Sequence, residues 1–248
     1  MTRISVELVP RDIEVLKEEV KTIKEKLSDV DFINIPDLLS CDTRSWNGAN
    51  IAKAYFDDVV PHLRAMDFDF TKELPIKDKL REYNIKEVLV VEGDPPQSML
   101  YQVYPTISTD IIKKFSEEMP EITVYAGIDQ YRSSMKEEEY RIRRKQLAGA
   151  KGFFTQPFFD MRYLEMYADL LDGLDIYWGV SPVLSERSVS YWRNKNNVIF
   201  PKDFEPTLEW NIEFASKVID FARKHNHNVY LMPIKAKIMP YLEGVFAK

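Results

Sequence analysis

The chain has 248 residues, 45% of them hydrophobic and 30% charged, so it carries enough apolar material for a sizeable core beneath a well-solvated surface. Its formal charge of -6 comes from 34 basic and 40 acidic residues scattered along the sequence; no dense basic run is present to track a phosphate backbone, which argues against a nucleic-acid partner. A single cysteine, Cys41, excludes an internal disulfide, no apolar run approaches the ~20 residues needed to span a bilayer, and no basic segment followed by an apolar signal core opens the chain, so a soluble cytoplasmic protein is expected.

Short apolar runs rich in β-branched residues alternate with charged segments of helical period from end to end. The first strand is predicted at 4–9 (ISVELV). It leads into a helix over 11–28, where Ile13, Leu16, Val20, Ile23 and Leu27 recur at three- and four-residue spacing and form one apolar stripe. Strand 32–35 (FINI) precedes a short helix at 48–56, strand 59–63 (VVPHL) a helix at 72–83, and strand 87–92 (EVLVVE) a helix at 106–118. Strand 121–127 (EITVYAG) is followed by helix 136–148, and strand 152–156 (GFFTQ) by helix 160–171. After strand 175–180 (DIYWGV) comes an irregular stretch, 193–206, read as an insertion or lid with a plain surface loop as the alternative. Helix 207–224, strand 228–232 (NVYLM) and helix 234–247 complete the pattern.

Strands that are almost continuously apolar belong in a parallel sheet covered on both faces. Eight β/α units therefore predict a (β/α)₈ TIM barrel, a single domain over residues 1–248, in keeping with the typical length of ~250 residues. An open doubly wound sheet is the alternative, but its G-x-G-x-x-G fingerprint follows none of the strands.

In such a barrel the active site lies at the carboxyl ends of the strands, where this sequence offers Glu7, Asn34, Asp37, His62, Glu92, Asp94, Asp129, Gln156, Ser181 and Lys235. Glu7 is the most informative, a carboxylate inside an apolar strand. If Val6 and Leu8 face the helices, Glu7 faces the barrel interior, where loss of solvent raises its pKa and suits it to donate a proton; a buried, paired structural carboxylate is the alternative. In Glu92-Gly93-Asp94-Pro95-Pro96, Gly93 allows close backbone approach and the prolines stiffen the loop presenting Asp94, which could bond a heterocycle or simply satisfy turn amides. Gln156 has the donor and acceptor needed to read a pterin or flavin edge, and Phe158 and Phe159 supply either stacking surface or core. His62 is a candidate for cofactor contact or a satisfied core histidine. His225 and His227 precede the last strand on the stability-bearing face, and no metal site is expected.

Several of these segments together resemble the methylenetetrahydrofolate reductase family. SVELVP at 5–10 is similar to its first-strand Phe-Glu-Phe-Pro-Pro motif, PHLRAMD at 61–67 to its Pro-His-Leu-Thr segment, and EGDPP at 92–96 to its Arg-Gly-Asp-Pro loop. RRKQLAGAKGFFTQPFFD at 143–160 resembles the stretch in which a Lys, an Ala-Gly-Ala and a Thr-Gln-x-Phe-Phe-Asp keep this order. The resemblance implies a barrel that reduces the methylene group of a reduced pterin to methyl, using NADH or NADPH and usually a bound FAD, in a short form without the regulatory domain of the animal enzymes.

By the same resemblance Glu7 would be the general acid, Asp94 the carboxylate contacting pterin and flavin, and Gln156 the residue holding pterin and nicotinamide. His62, Gly93, Lys145 and Ala150 would fall on flavin-contacting or flavin-supporting positions, and Lys235 would assist substrate binding. The departures cluster on the flavin side: Glu92 replaces an arginine, Gly127, Ile128, Asp129 and Tyr131 replace expected flavin contacts, and Val-Tyr-Leu-Met occupies the last strand. The expected function is therefore a pterin reductase, alone or as a homo-oligomer. The alternatives are a barrel subunit that takes flavin or electrons from a companion protein, or a pterin-dependent methyltransferase-like barrel.

Overall fold

The computed structural model describes residues 2–96, 98, 101–234 and 236–247. Eight parallel strands close into a barrel in sequence order: β1 (Ile4–Glu7), β2 (Phe32–Ile35), β3 (Val59–Arg64), β4 (Glu87–Val91), β5 (Thr123–Ile128), β6 (Gly152–Pro157), β7 (Ile176–Val180) and β8 (Asn228–Leu231). The seam is made by β1 against β8, with Ser5 opposite Tyr230 and Val6 opposite Leu231. The expected (β/α)₈ barrel is thus the observed fold, with strand bounds that differ from the sequence reading by one or two residues.

Helices wrap the barrel: α1 (Ile13–Lys26), α2 (Ser45–Ala52), α3 (Lys77–Glu82), α4 (Ser108–Glu118), α5 (Met135–Ala148), α6 (Met161–Leu170), α7 (Glu186–Lys195), α8 (Leu208–His225) and α9 (Ile238–Phe246). Their starts follow local chemistry. Asp12, Ser134, Asp160, Ser185 and Thr207 each accept a bond from a backbone amide of the first turn. Asn226 ends α8 in the left-handed conformation. Helix α7 was not anticipated as a separate element, and the irregular stretch read at 193–206 begins inside it.

Alternation along the strands sorts side chains into two layers. Val6, Leu8, Ile33, Ile35, Val88 and Val90 face the helices, whereas Phe32, Val60, Leu89, Tyr125, Phe154, Tyr177 and Tyr230 fill the barrel. The amino-terminal mouth is closed by Arg3, whose guanidinium donates to Glu87, Asp58 and the hydroxyls of Tyr125 and Tyr177 and lies over the ring of Phe32. The interior is thus a packed core with its accessible end at the carboxyl termini of the strands. A third cluster lies under α7, where Val198, Phe200 and Phe204 pack on Phe159, Val183 and Trp192. Within residues 198–204 these three side chains are packed down, while Ile199, Lys202 and Asp203 are exposed.

Candidate active site

A cavity of about 770 Å³ opens at the carboxyl end, lined by Glu7, Gln156, Arg11, Arg187, Trp192 and Asn196 among others. That size lies within the ~300–1,000 Å³ range of small-molecule sites. A separate hollow of about 460 Å³ on the outside, beside Trp210 and Phe214, shares no residue with it.

Glu7 points into the barrel as the alternation of β1 requires, and it is 9% exposed. Its carboxyl accepts a hydrogen bond from the Tyr230 hydroxyl, and His62 Nδ1 lies 4.0 Å from the same carboxylate oxygen. Burial pushes Glu7 up to about 7, opposed by the bond from Tyr230, which favours the ionised form. The same burial and the nearby carboxylate hold the Tyr230 phenol protonated, so it remains the donor. Burial also drives His62 down to about 3. His62 is therefore neutral near pH 7, and its contact with Glu7 is not an ion pair.

Gln156 enters the same cavity two residues after the inward Phe154, as strand alternation requires, and beside it the register of β6 with β7 shifts between Phe154 and Pro157. The bulge is held from below. Gln130, 1% exposed, donates from Nε2 to the Gln156 carbonyl at 2.7 Å and accepts from the Gln156 amide at 3.1 Å. Tyr131 donates to the Pro157 carbonyl at 2.9 Å, and Tyr163 donates to the carbonyl of Gln130 at 2.6 Å. With its backbone fixed, the exposed Gln156 side chain is free to present its amide to the cavity.

The β4 loop departs from expectation. Gly93 has φ +88°, and a Cβ there would meet Arg64 Cβ at 3.1 Å, so this position requires glycine. Asp94, however, is exposed and does not line the Glu7 cavity; its backbone carbonyl accepts from Arg64 at 2.8 Å. Phe158 is also corrected: it is fully buried on the helix side, packed against Tyr163, Tyr167 and Trp178, because the bulge turns it away from the barrel axis. Lys235 lies outside the described residues. Asp37, another strand-end carboxylate, is held by Arg44, which also bonds Asp67.

The positions expected to support flavin lie on the ledge formed by β4, β5 and α5. Glu92 bonds the backbone amide of Ser108 at 3.2 Å and its hydroxyl at 2.9 Å, so a carboxylate caps the first turn of α4. Lys145 is buried and donates to the Gly127 carbonyl at 2.6 Å; burial lowers its pKa. Arg132 is paired with Asp129, and Arg141 with Glu137. Ala150, 6% exposed, packs in the layer beneath the helices. The hollows left on this ledge measure about 120 and 70 Å³, well under the ~300 Å³ at the small end of ligand pockets. A carboxylate at the helix terminus, with Arg132 and Arg141 paired and Arg144 an exposed cation of the ledge, is a poor fit to FAD, and no step of the reaction is routed through it. Among the described residues, no group of three or more His, Cys, Asp or Glu is placed to hold a metal, and no helix is long and apolar enough to cross a membrane.

Sequence reasoning missed Tyr230, Gln130, Arg11 and Arg187. Tyr230 alone carried a readable signal, since it alternates with Val229 and Leu231 as Glu7 does with Val6 and Leu8.

No family model matches the chain. The 5,10-methylenetetrahydrofolate reductase of Buchnera aphidicola subsp. Schizaphis graminum (strain Sg) is 22% identical over 147 residues, 57% of this chain and 50% of that protein, so the chain spans half the length of this curated relative. Among solved structures, an uncharacterized protein from Clostridium thermocellum that binds two copies of 5-methyl-5,6,7,8-tetrahydrofolic acid superposes with a TM-score of 0.63 at 14% identity, covering 99% of this chain and 93% of that one. A 2,3-dimethylmalate lyase of the PEP mutase/isocitrate lyase superfamily gives a TM-score of 0.61 at 9% identity, with 97% and 77% coverage, and shares the fold alone. These likenesses show the barrel fold and a low-identity resemblance to a 5,10-methylenetetrahydrofolate reductase over half of that protein's length.

Proposed function

We propose that this protein reduces a methylene-tetrahydropterin, methylenetetrahydrofolate or a close analogue, to the methyl form, with Glu7 as general acid. One observation carries the reading: a buried carboxyl that holds a proton near neutrality faces the same cavity as the amide of Gln156. The named relative and the folate-binding structural neighbour support the choice of a pterin over other heterocycles.

In this reading Gln156 meets the donor and acceptor edge of the pterin and fixes its orientation, so the bridging methylene lies toward Glu7. Glu7 gives its proton to one ring nitrogen as that nitrogen's bond to the methylene carbon breaks. The lone pair of the other nitrogen forms the iminium. Hydride from a reduced nicotinamide nucleotide adds to the iminium carbon, leaving N-methyl and the oxidised nucleotide. Glu7 departs as the carboxylate, stabilised by the Tyr230 hydroxyl, and regains a proton from solvent.

The test is NADH or NADPH oxidation by purified protein with methylenetetrahydrofolate, with methyl product identified by mass, in wild type and Glu7→Gln. General-acid catalysis is worth roughly 10²–10⁴-fold, and Glu7→Gln should lose that much while remaining folded. Undiminished turnover in that variant removes the acid assignment. Turnover that appears only when a companion redox protein is added replaces the reading with an accessory subunit, and methyl transfer without nucleotide oxidation replaces it with a methyltransferase.

A further inference from the structure

The proposed reduction draws on Glu7, Tyr230 and Gln156 and leaves His62 without a task. His62 faces the barrel interior on β3, 7% exposed, with Leu89 opposite it on β4 and its carbonyl bonded by the Ser45 hydroxyl at 2.5 Å. It is not part of the cavity wall, so it meets Glu7 rather than a ligand. Its Nδ1 lies 4.0 Å from Glu7 Oε2, the oxygen that accepts from Tyr230. The rings of His62 and Tyr230 meet edge to face with centroids 6.2 Å apart. Two side chains from different strands therefore flank one carboxylate oxygen.

Burial keeps the imidazole uncharged, so it carries a single N–H. Nε2 is buried and has no hydrogen-bond partner among the described residues. A proton on Nε2 would leave that N–H unpaired and also turn the Nδ1 lone pair toward an oxygen that becomes charged once Glu7 has given up its proton. A proton on Nδ1 points the N–H at that oxygen and leaves one unpartnered lone pair, at Nε2. Unsatisfied buried polar groups are costly, and the second arrangement has one fewer. Of the other groups around the pair, Asn34, opposite Glu7 on β2, donates to Ser5 at 3.1 Å; Arg64 on β3 is paired with Asp67, Arg44 with Asp37, and Arg11 and Arg187 stand on the cavity wall.

We infer that His62 is a positioning residue for the acid, holding its proton on Nδ1 and donating a hydrogen bond to Glu7 Oε2 once that carboxyl has protonated the substrate. No proton leaves His62 at any step; it is a second neutral donor beside Tyr230. At 4.0 Å the resting contact is longer than a hydrogen bond, and it shortens as charge appears on the oxygen. A bond that is stronger in the ionised state than in the resting one stabilises the transition state more than the ground state. The kinetic part of this inference rests on the reductase reading; the ring's tautomer and its link to Glu7 do not.

The experiment is NMR of the intact chain, labelled with nitrogen-15 in histidine, from pH 5 to 9 in wild type and Glu7→Gln. The chain has 3 histidines, and the other two lie at the far end of the barrel before β8, so His225→Gln and His227→Gln identify the His62 signals by elimination. Nδ1 should be protonated and Nε2 bare throughout. The ring signals should step once, at the Glu7 midpoint of about 7, without the ring taking up a second proton. Glu7→Gln should abolish that step. Kinetics give the second readout: His62→Leu should lower kcat by roughly three- to tenfold with KM unchanged and move the alkaline limb of kcat/KM up by about one pH unit. His62→Asn, whose side-chain amide reaches the Nδ1 position, should recover most of both losses. A proton on Nε2, or a step that survives in Glu7→Gln, overturns the assignment, as does a pH profile that His62→Leu leaves in place. The NMR arm requires neither turnover nor a folded His62 variant. If wild type reduces no methylene pterin, the reductase reading fails, while the tautomer and the fate of the step in Glu7→Gln still decide whether His62 and Glu7 act as a pair.

Discussion

The Tyr230 hydroxyl donates a hydrogen bond to the Glu7 carboxyl inside the barrel, joining the last strand to the first where the sheet closes. Two opposing influences meet at that carboxyl. Burial favours its protonated form, and the phenol favours its anion, with the net result about 7. Tyr230→Phe deletes the second influence and keeps the first. A hydrogen bond to a charged group is worth about 1.5–3 kcal/mol, which corresponds to roughly one to two pH units. The alkaline limb of the kcat/KM profile, where Glu7 loses its proton, should therefore move upward by about that amount in Tyr230→Phe. A profile that keeps the wild-type midpoint means the phenol does not tune the acid.

Glu7 should also write a pH dependence into stability. Its carboxyl is raised from 4.5 to about 7 in the folded protein, so the folded state binds a proton that the unfolded chain has released throughout that window. The contribution is fully present below 4.5, declines as pH rises to about 7 and is constant above. At 1.36 kcal/mol per unit the change is on the order of 3 kcal/mol. His62 acts in the opposite direction, because its folded pKa is lowered from 6.5 to about 3 and its contribution is lost as pH falls through that range. Wild type alone therefore shows a mixture. Glu7→Gln removes the first titration and keeps the second, so denaturant unfolding of both proteins between pH 4 and 8 isolates Glu7: the variant should gain on wild type as pH rises. A constant difference would show that the carboxyl is not desolvated.

The barrel was legible because each strand is a short, nearly continuous apolar run, and the inward turn of Glu7 followed from alternation alone. Helix α7 was not legible for the same physical reason in reverse. Within Glu186–Lys195 only Val189 is buried, so no apolar stripe announces the helix, and its sole local cue is the Ser185 cap. Asp94 and Phe158 misled because a motif records residue order, whereas the backbone decides direction: the β4 loop carries Asp94 outward, and the β6 bulge sends Phe158 to the helix layer. The Glu7–Tyr230 bond joins residues 223 positions apart and depends on barrel closure, which no local pattern encodes.

Gly179 on β7 tests whether the bulge positions Gln156. A Cβ at this residue would lie 2.6 Å from the Thr155 carbonyl and 2.9 Å from that of Gln156, both backbone atoms on the bulged strand, and 2.8 Å from the flexible end of Met232. The methionine can move aside; the carbonyls can move only with β6. Gly179→Ala should lower stability by about 1–3 kcal/mol, the usual range for overpacking, and raise KM for the pterin as the amide shifts. A lowered melting temperature with unchanged KM would separate the bulge from substrate placement.

The β4–β5 ledge yields the last prediction. Glu92 occupies the amino terminus of α4 through two bonds to Ser108, the hollows beside it are small, and Arg132, Arg141 and Lys145 already have partners. A flavin diphosphate approaching this ledge would face a carboxylate, with Arg144 an exposed cation beside it. Titration of FAD with wild-type protein should therefore leave flavin fluorescence and absorbance unchanged. Glu92→Ala separates the causes: loss of the cap should cost about 1 kcal/mol in stability, and if the carboxylate alone excludes flavin, weak binding should appear. Continued exclusion in the variant assigns the effect to the size of the hollows. Tight binding of FAD by the wild type would mean that the ledge rearranges, and the hydride route would then have to be redrawn.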